Sequence, residues 1–155
     1  MALAGDPAVA EQTARIPHPL TLAAAEAWLQ AAVGGEAREM VFAVERKPAR
    51  EFLGAVGLAL GEEDQPAELG FWLGRPYWNN GYMTEAVRRV MEYAFTRRSV
   101  PAVRACTFLG NAASARVQEK VGMRPIGNEL RHAPARGCCR RESEVRELRR
   151  EDWRG

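Results

Sequence analysis

Two rhythms of apolar and polar positions divide the chain. Three short runs, "EMVFAVER" (residues 39–46), "EFLGAVGLAL" (51–60) and "AELGFWLG" (67–74), carry β-branched or aromatic residues between charges, glycine or proline. Each predicts a strand, and their close spacing predicts an antiparallel meander. From about Gly81 to Arg97 the rhythm changes. Met83, Ala86, Val87, Val90, Met91 and Ala94 recur at the three-and-four spacing of one helix face. "PAVRACTFL" (101–109) then reads as a strand, and "NAASARVQEKVG" (111–122) as a helix from an Asn111 cap to a Gly122 stop. Two more strands are predicted near 123–132 and 140–148.

Upstream, "TLAAAEAWLQAAV" (21–33) predicts a helix capped by Thr21 and ended by Gly34-Gly35. "ARIPHPL" before it must run extended or turning because of its two prolines. A short helix is expected from Asp6 to Gln12, with Asp6 as cap and Pro7 in the first turn. This order predicts an α+β fold: a mixed, mostly antiparallel sheet with one parallel crossover in its middle, flanked by helices.

At 155 residues the chain suits a single domain spanning 1–155 that needs no staples. Its net charge of +2 is too small to argue for nucleic acid. Arginines crowd the last fifth, but Glu142, Glu144, Glu147, Glu151 and Asp152 interleave with them, as on a solvated face of mixed sign. Cys106 stands alone and Cys138 and Cys139 are adjacent, so no zinc spacing exists and no metal is expected. The odd cysteine count and the lack of a leader fit a reducing cytoplasm. No apolar run reaches bilayer length, so no membrane partner is expected.

Candidate chemistry gathers around "RPYWNNGYMTEA" (75–86). Gly81 lies where a central strand hands over to the crossover helix. The first turn of a helix leaves N–H groups unpaired and carries partial positive charge. A phosphate fits there, and a glycine lets the backbone approach it; equally, Gly81 can simply supply a turn. Neither the Walker pattern nor G-x-G-x-x-G is present. In the preceding strand, Leu69, Phe71 and Leu73 alternate with Glu68, Gly70 and Trp72. The second set places a carboxylate and an aromatic around a residue with no side chain, which leaves a hollow. The plainer reading puts Glu68 in solvent at a strand end.

"AELGFWLGRPYWNNGYMTEA" followed by "NAASARVQEKVGMRPIG" resembles the GNAT superfamily of N-acetyltransferases. The likeness is greatest to the Rim-type branch that acetylates ribosomal-protein N-termini. It implies a sheet whose two central strands splay apart with acetyl-CoA between them. The family's pyrophosphate loop falls on Trp78, Asn79, Asn80, Gly81, Tyr82 and Met83, with Thr84 following. Trp78 and Met83 depart from the family pattern and Gly81 retains it. Because such contacts are mostly backbone N–H, binding survives these changes. The family's second motif lands on Asn111, implied to touch the pantetheine arm, and Ser114, implied to lie near the thiol. Read alone, Asn111 is a helix cap and Ser114 a first-turn residue. Gln118 occupies the place of a tyrosine acid in many relatives and cannot donate its proton.

The implied reaction moves an acetyl group directly from acetyl-CoA to a primary amine, on a protein N-terminus or a small molecule. The amine must lose a proton, and Glu68 is the expected base, helped by burial. Backbone N–H groups around Phe71, Trp72 and Leu73 are expected to hold the acyl oxygen. Ser114 would relay a proton to sulfur. Cys106 is expected to be packing rather than a nucleophile. His18 reads as a loop histidine in solvent or as lining the substrate end, and His132 as decorating a late strand. Trp28 and Trp72 read as core or pocket walls, and Arg116 and Lys120 as a solvated face or a phosphate contact. Relatives open with a strand before the first helix, and this chain begins about where that strand would end. The start is misassigned, the chain is trimmed, or the sheet lacks an edge strand; in the last case "EMVFAVER" is expected to be an edge open to homodimer pairing or aggregation. The competing expectation is a catalytically weak or inactive CoA-binding module of the same fold.

Overall fold

The computed structural model describes residues 2–34, 38–133, 135 and 137–155. Gly35, Arg136 and the side chains of Cys138 and Cys139 lie outside that set. The elements are α1 (Pro7–Ala10), α2 (Leu22–Val33), β1 (Glu39–Arg46), β2 (Glu51–Ala59), β3 (Ala67–Leu73), α3 (Tyr82–Thr96), β4 (Ala102–Phe108), α4 (Ala112–Lys120), β5 (Arg124–Ala133) and β6 (Cys138–Arg149). The expected caps are in place: Asp6 accepts from the Ala8 N–H, Thr21 from Ala24 and Asn111 from Ser114. Gly122 stops α4 at φ 90°. A 3₁₀ turn at Arg75–Tyr77, which the sequence pattern did not signal, links β3 to the start of α3.

One six-stranded sheet runs in the order β1-β2-β3-β4-β6-β5. Every pairing is antiparallel except β3 with β4. The last two strands form a hairpin whose second member returns to lie beside β4, so β5 becomes the far edge. Among the described residues no strand pairs with the outer edge of β1.

The main core lies between the sheet and α3. Val56 and Leu58 of β2, Leu69 and Leu73 of β3, and Val103 and Ala105 of β4 meet Val87, Val90, Met91, Ala94 and Phe95 of α3. These residues hold the register because a one-place slip would turn the apolar set outward. One extra residue, Leu53, breaks the alternation of β2: Val44 pairs with Gly54 and Glu45 with Phe52. The bulge turns Leu53 into the core beside Val56 and sends Phe52 to the opposite face. There Phe52 meets Trp72 edge-on, ring centres 5.8 Å apart. By contrast, α2 buries none of its residues, and Trp28 is exposed rather than packed.

Candidate active site

The ladder between β3 and β4 is short. It joins Ala67 to Val103, Glu68 to Arg104 and Leu69 to Ala105, and then ends. Beyond it β3 continues through Leu73 beside β2, and β4 continues through Phe108 beside β6. The two strands therefore part in a V, leaving backbone groups on their inner edges without sheet partners.

Alternation along β3 identifies which groups face the gap. The Gly74 N–H donates to the Leu53 carbonyl across the β2 side at 2.8 Å. Residues two apart point the same way, so Trp72 also directs its N–H toward β2. Phe71 and Leu73 direct theirs into the V. The Leu73 carbonyl on that side accepts from the Trp78 indole at 2.7 Å. Trp72 thus offers the gap no backbone donor, and Trp78 uses its N–H to hold the loop.

That loop leads into α3 under tight control. Asn80 donates its amide to the carbonyls of Tyr77 (3.2 Å) and Trp78 (2.8 Å). Asn79 and Gly81 both have left-handed backbones, at φ 62° and 82°. Gly81 caps α3 with no side-chain hydrogen bond, and a Cβ placed there would have no atom within 4 Å. The N–H groups of Tyr82, Met83 and Thr84 precede the first intrahelical donor, Glu85, which bonds Gly81 O at 3.1 Å. Met83 is buried in the core, so only its backbone is available here. Tyr82 turns its ring toward the groove between β1, β2 and α3. These bare amides on a bend open to solvent fit a diphosphate.

Across the V, Asn111 and Ser114 start α4. Asn111 uses Oδ1 on the Ser114 N–H at 3.1 Å. The Ser114 hydroxyl lies 3.0 Å from that of Thr107, and Gln118 donates to Thr107 (2.6 Å) and Ser114 (3.3 Å). Gln118 is fully buried, and its Oε1 has no partner. Gln118 is therefore a fixture behind Ser114, not an acid at the surface of the gap. The spacing of Ser114 and Gln118, one helical turn apart, is the sequence signal for this pair; Thr107 carried none.

On the face away from α3, β3 presents Glu68, Gly70 and Trp72. The hollow is real: Gly70 pairs with Gly57, and a Cβ on Gly70 would have nothing within 4 Å. Glu68 differs from expectation in its burial, since its side chain is 42% exposed. Both of its oxygens are bound by Arg131, at 3.1 and 2.9 Å. Arg131 also donates to Glu129 and lies 3.2 Å from the Cys106 sulfur. Burial, and then the hydrogen bond to Glu129, pushes the Cys106 thiol up to about 12. It is thus protonated at neutral pH, as a packed cysteine should be. Burial works to raise Glu129, but the Cys106 and Arg131 hydrogen bonds outweigh it and hold Glu129 below the usual carboxylate range. Arg131 and Glu129 lie more than sixty residues from Glu68 in the chain, and no local pattern marks the pairing.

The remaining candidates are surface residues. His18, His132, Arg116 and Lys120 are exposed. Among the described residues no cluster of His, Cys, Asp or Glu could hold a metal ion, and no helix is long and apolar enough to cross a membrane.

The chain is similar to several known proteins. The uncharacterized N-acetyltransferase YoaA of Bacillus subtilis (strain 168) is 31% identical over 98 residues, covering 63% of this chain and 55% of that protein. The chain spans about half the length of the curated relatives it matches. A GNAT-family acetyltransferase structure from Bacillus anthracis superposes with a TM-score of 0.82 at 20% identity, covering 96% of this chain and 86% of that one. Spermidine N-acetyltransferase from Vibrio cholerae, solved with CoA and spermine, gives 0.80 at 14% identity, over 97% and 88%. The family described as acetyltransferase (GNAT) domain matches residues 1–124. With four-fifths of its length matched, and with the parted strands that the fold requires, this chain belongs to the GNAT acetyltransferase family.

Proposed function

We propose that the protein is an acetyl-CoA-dependent N-acetyltransferase that acetylates a primary amine by direct transfer in a ternary complex. One observation carries the reading: the β3–β4 ladder stops at Leu69 and Ala105, and an uncapped helix start at Gly81 follows the longer arm. Acetyl-CoA, when bound, supplies an activated acyl carbon and a thiolate leaving group. The N–H groups following Gly81 hold the diphosphate, and the Asn111 amide contacts the pantetheine arm. Phe71 and Leu73 direct their N–H groups at the acyl oxygen, where negative charge grows during attack. Glu68 takes the proton of the incoming amine, directly or through water. The Ser114 hydroxyl, positioned by Thr107 and Gln118, donates toward sulfur.

A screen of alkylamines and N-terminal peptides for thiol release from acetyl-CoA tests this reading, and no turnover above background would overturn it. Glu68→Gln should lower turnover about tenfold or more, with acetyl-CoA affinity near normal. Two observations favour a second reading, a weak or inactive CoA-binding module. Glu68 is tied up by Arg131, and Gln118 stands where a tyrosine acid is common. Calorimetric binding of acetyl-CoA without turnover of any amine would select it. Either reading treats 1–155 as one acyl-CoA N-acyltransferase domain.

A further inference from the structure

The position of Arg131 is odd for its strand. In sheet order β5 is separated from β3 by both β6 and β4, yet the Arg131 guanidinium lies bidentate on Glu68 of β3. It reaches there across β4 and touches Cys106, the first β4 residue beyond the ladder with β3. The guanidinium therefore straddles the vertex of the V, on the face that carries Glu68, Gly70 and Trp72.

Its surroundings are chemically specific. Glu68 binds it from one side and Glu129 from the other, with the neutral Cys106 thiol beneath. Among the described residues on this face, Arg104 is occupied by Glu147 at 2.7 Å, and Arg141, the cross-strand partner of Arg131, lies over the Phe108 ring at 5.3 Å. With both oxygens accepting from Arg131, Glu68 is not placed to take a proton from an amine. Anything that frees Glu68 must restore the positive charge, or two carboxylates face each other uncompensated. A neutral or anionic acceptor cannot do so. An ammonium can, since its three N–H donors suit the same two carboxylates.

We propose that the acceptor enters as a primary ammonium ion that displaces the Arg131 guanidinium from between Glu68 and Glu129. Arg131 is on this account a specificity-determining strap: it excludes uncharged and acidic acceptors and yields to cationic ones. The inference rests on the N-acetyltransferase reading and goes beyond it by naming the charge of the acceptor and the residue that selects it. Arg131 is 32% and Glu68 42% exposed, so the strap is held weakly enough to open.

The test compares wild type with Arg131→Ala, using propylammonium, methylguanidinium and the neutral propionamide as probes in NMR titrations at constant ionic strength. A closed strap taxes apparent affinity by the fraction of time it is open, so its removal should tighten both cations about fivefold and leave propionamide unchanged. With an amine that is turned over, KM should fall by the same factor while kcat stays within about twofold. Added methylguanidinium should then raise KM back toward the wild-type value. Weaker cation binding in Arg131→Ala, or an equal gain for propionamide, overturns the proposal. If Arg131→Ala does not fold, Arg131→Gln removes the charge and is read the same way. Absence of acetyl-CoA binding by wild type would sink the enzymatic reading instead, while the cation titrations would still decide the strap.

Discussion

The two helices that flank the V begin in opposite ways. At α4 the Asn111 side chain closes on the Ser114 N–H, and the Ala112 N–H donates to the Gly110 carbonyl. At α3 the cap is a left-handed glycine that offers no side chain, and a Cβ placed on it would meet only open space. The helices also differ in anchoring. α3 buries Met83, Val87, Val90, Met91, Ala94 and Phe95, whereas α4 buries only Gln118. A firmly rooted helix can leave its end unsatisfied, because tertiary packing supplies most of its stability. The lightly rooted one keeps its cap. An uncapped end on the best-buried helix is therefore better read as a binding feature than as a weakness.

The comparison can be broken at several points, of decreasing size. Phe95→Ala should destabilise the fold by about 3–5 kcal/mol in chemical denaturation, since it empties the root of α3. A loss below about 1 kcal/mol would show that α3 is less firmly rooted than α4's counterpart role requires. Gly81→Asp sharpens the contrast further. A left-handed backbone costs a non-glycine residue about 1–2 kcal/mol, least for aspartate or asparagine, so stability should fall by about that much. The aspartate carboxylate would repel a diphosphate, and acetyl-CoA affinity by calorimetry should fall about a hundredfold. Unchanged affinity would remove this helix start from the site. Asn111→Ala should cost about 1 kcal/mol through its lost cap, an effect seen in melting even without ligand. The smallest effect concerns the arm of β4 between the helices. Peptide-mapped iodoacetamide labelling of Cys106 should be slow at pH 8 and rise about tenfold per pH unit as the thiolate fraction grows toward its high pKa. A plateau near pH 9 would mean an ordinary, accessible thiol.

Much of this was legible beforehand because it depends on neighbours in the chain. The caps at Asp6, Thr21 and Asn111, the α3 face and the glycine at its start are all local patterns, and the structure places them as expected. The parallel contact of β3 with β4 follows from the crossover helix between them. The insertion of β6 between β4 and β5 was not legible, because strand order around a hairpin leaves little trace in periodicity. Neither was the strap: Arg131 belongs to a mixed-charge run, and only the curl of the β5–β6 hairpin brings it to Glu68. Trp28 failed differently. Its helix is alanine-rich and has a proper cap, and neither property determines how deeply it docks.

The extra residue in β2 has a consequence for how this protein tolerates length changes. Strand facing is a matter of odd and even, and Leu53 switches the parity once. Deleting that single residue would leave a regular strand, with Phe52 still opposite Glu45 and Glu51 still opposite Arg46, because the register already matches on either side of the bulge. The core would lose the Leu53 side chain, but Phe52 would stay against Trp72 and Glu51 would keep its 2.7 Å hydrogen bond from the Tyr77 hydroxyl. A one-residue shortening at this point is absorbed by the ladder, so the aromatic wall of the hollow and the tether of the turn before α3 outlast it.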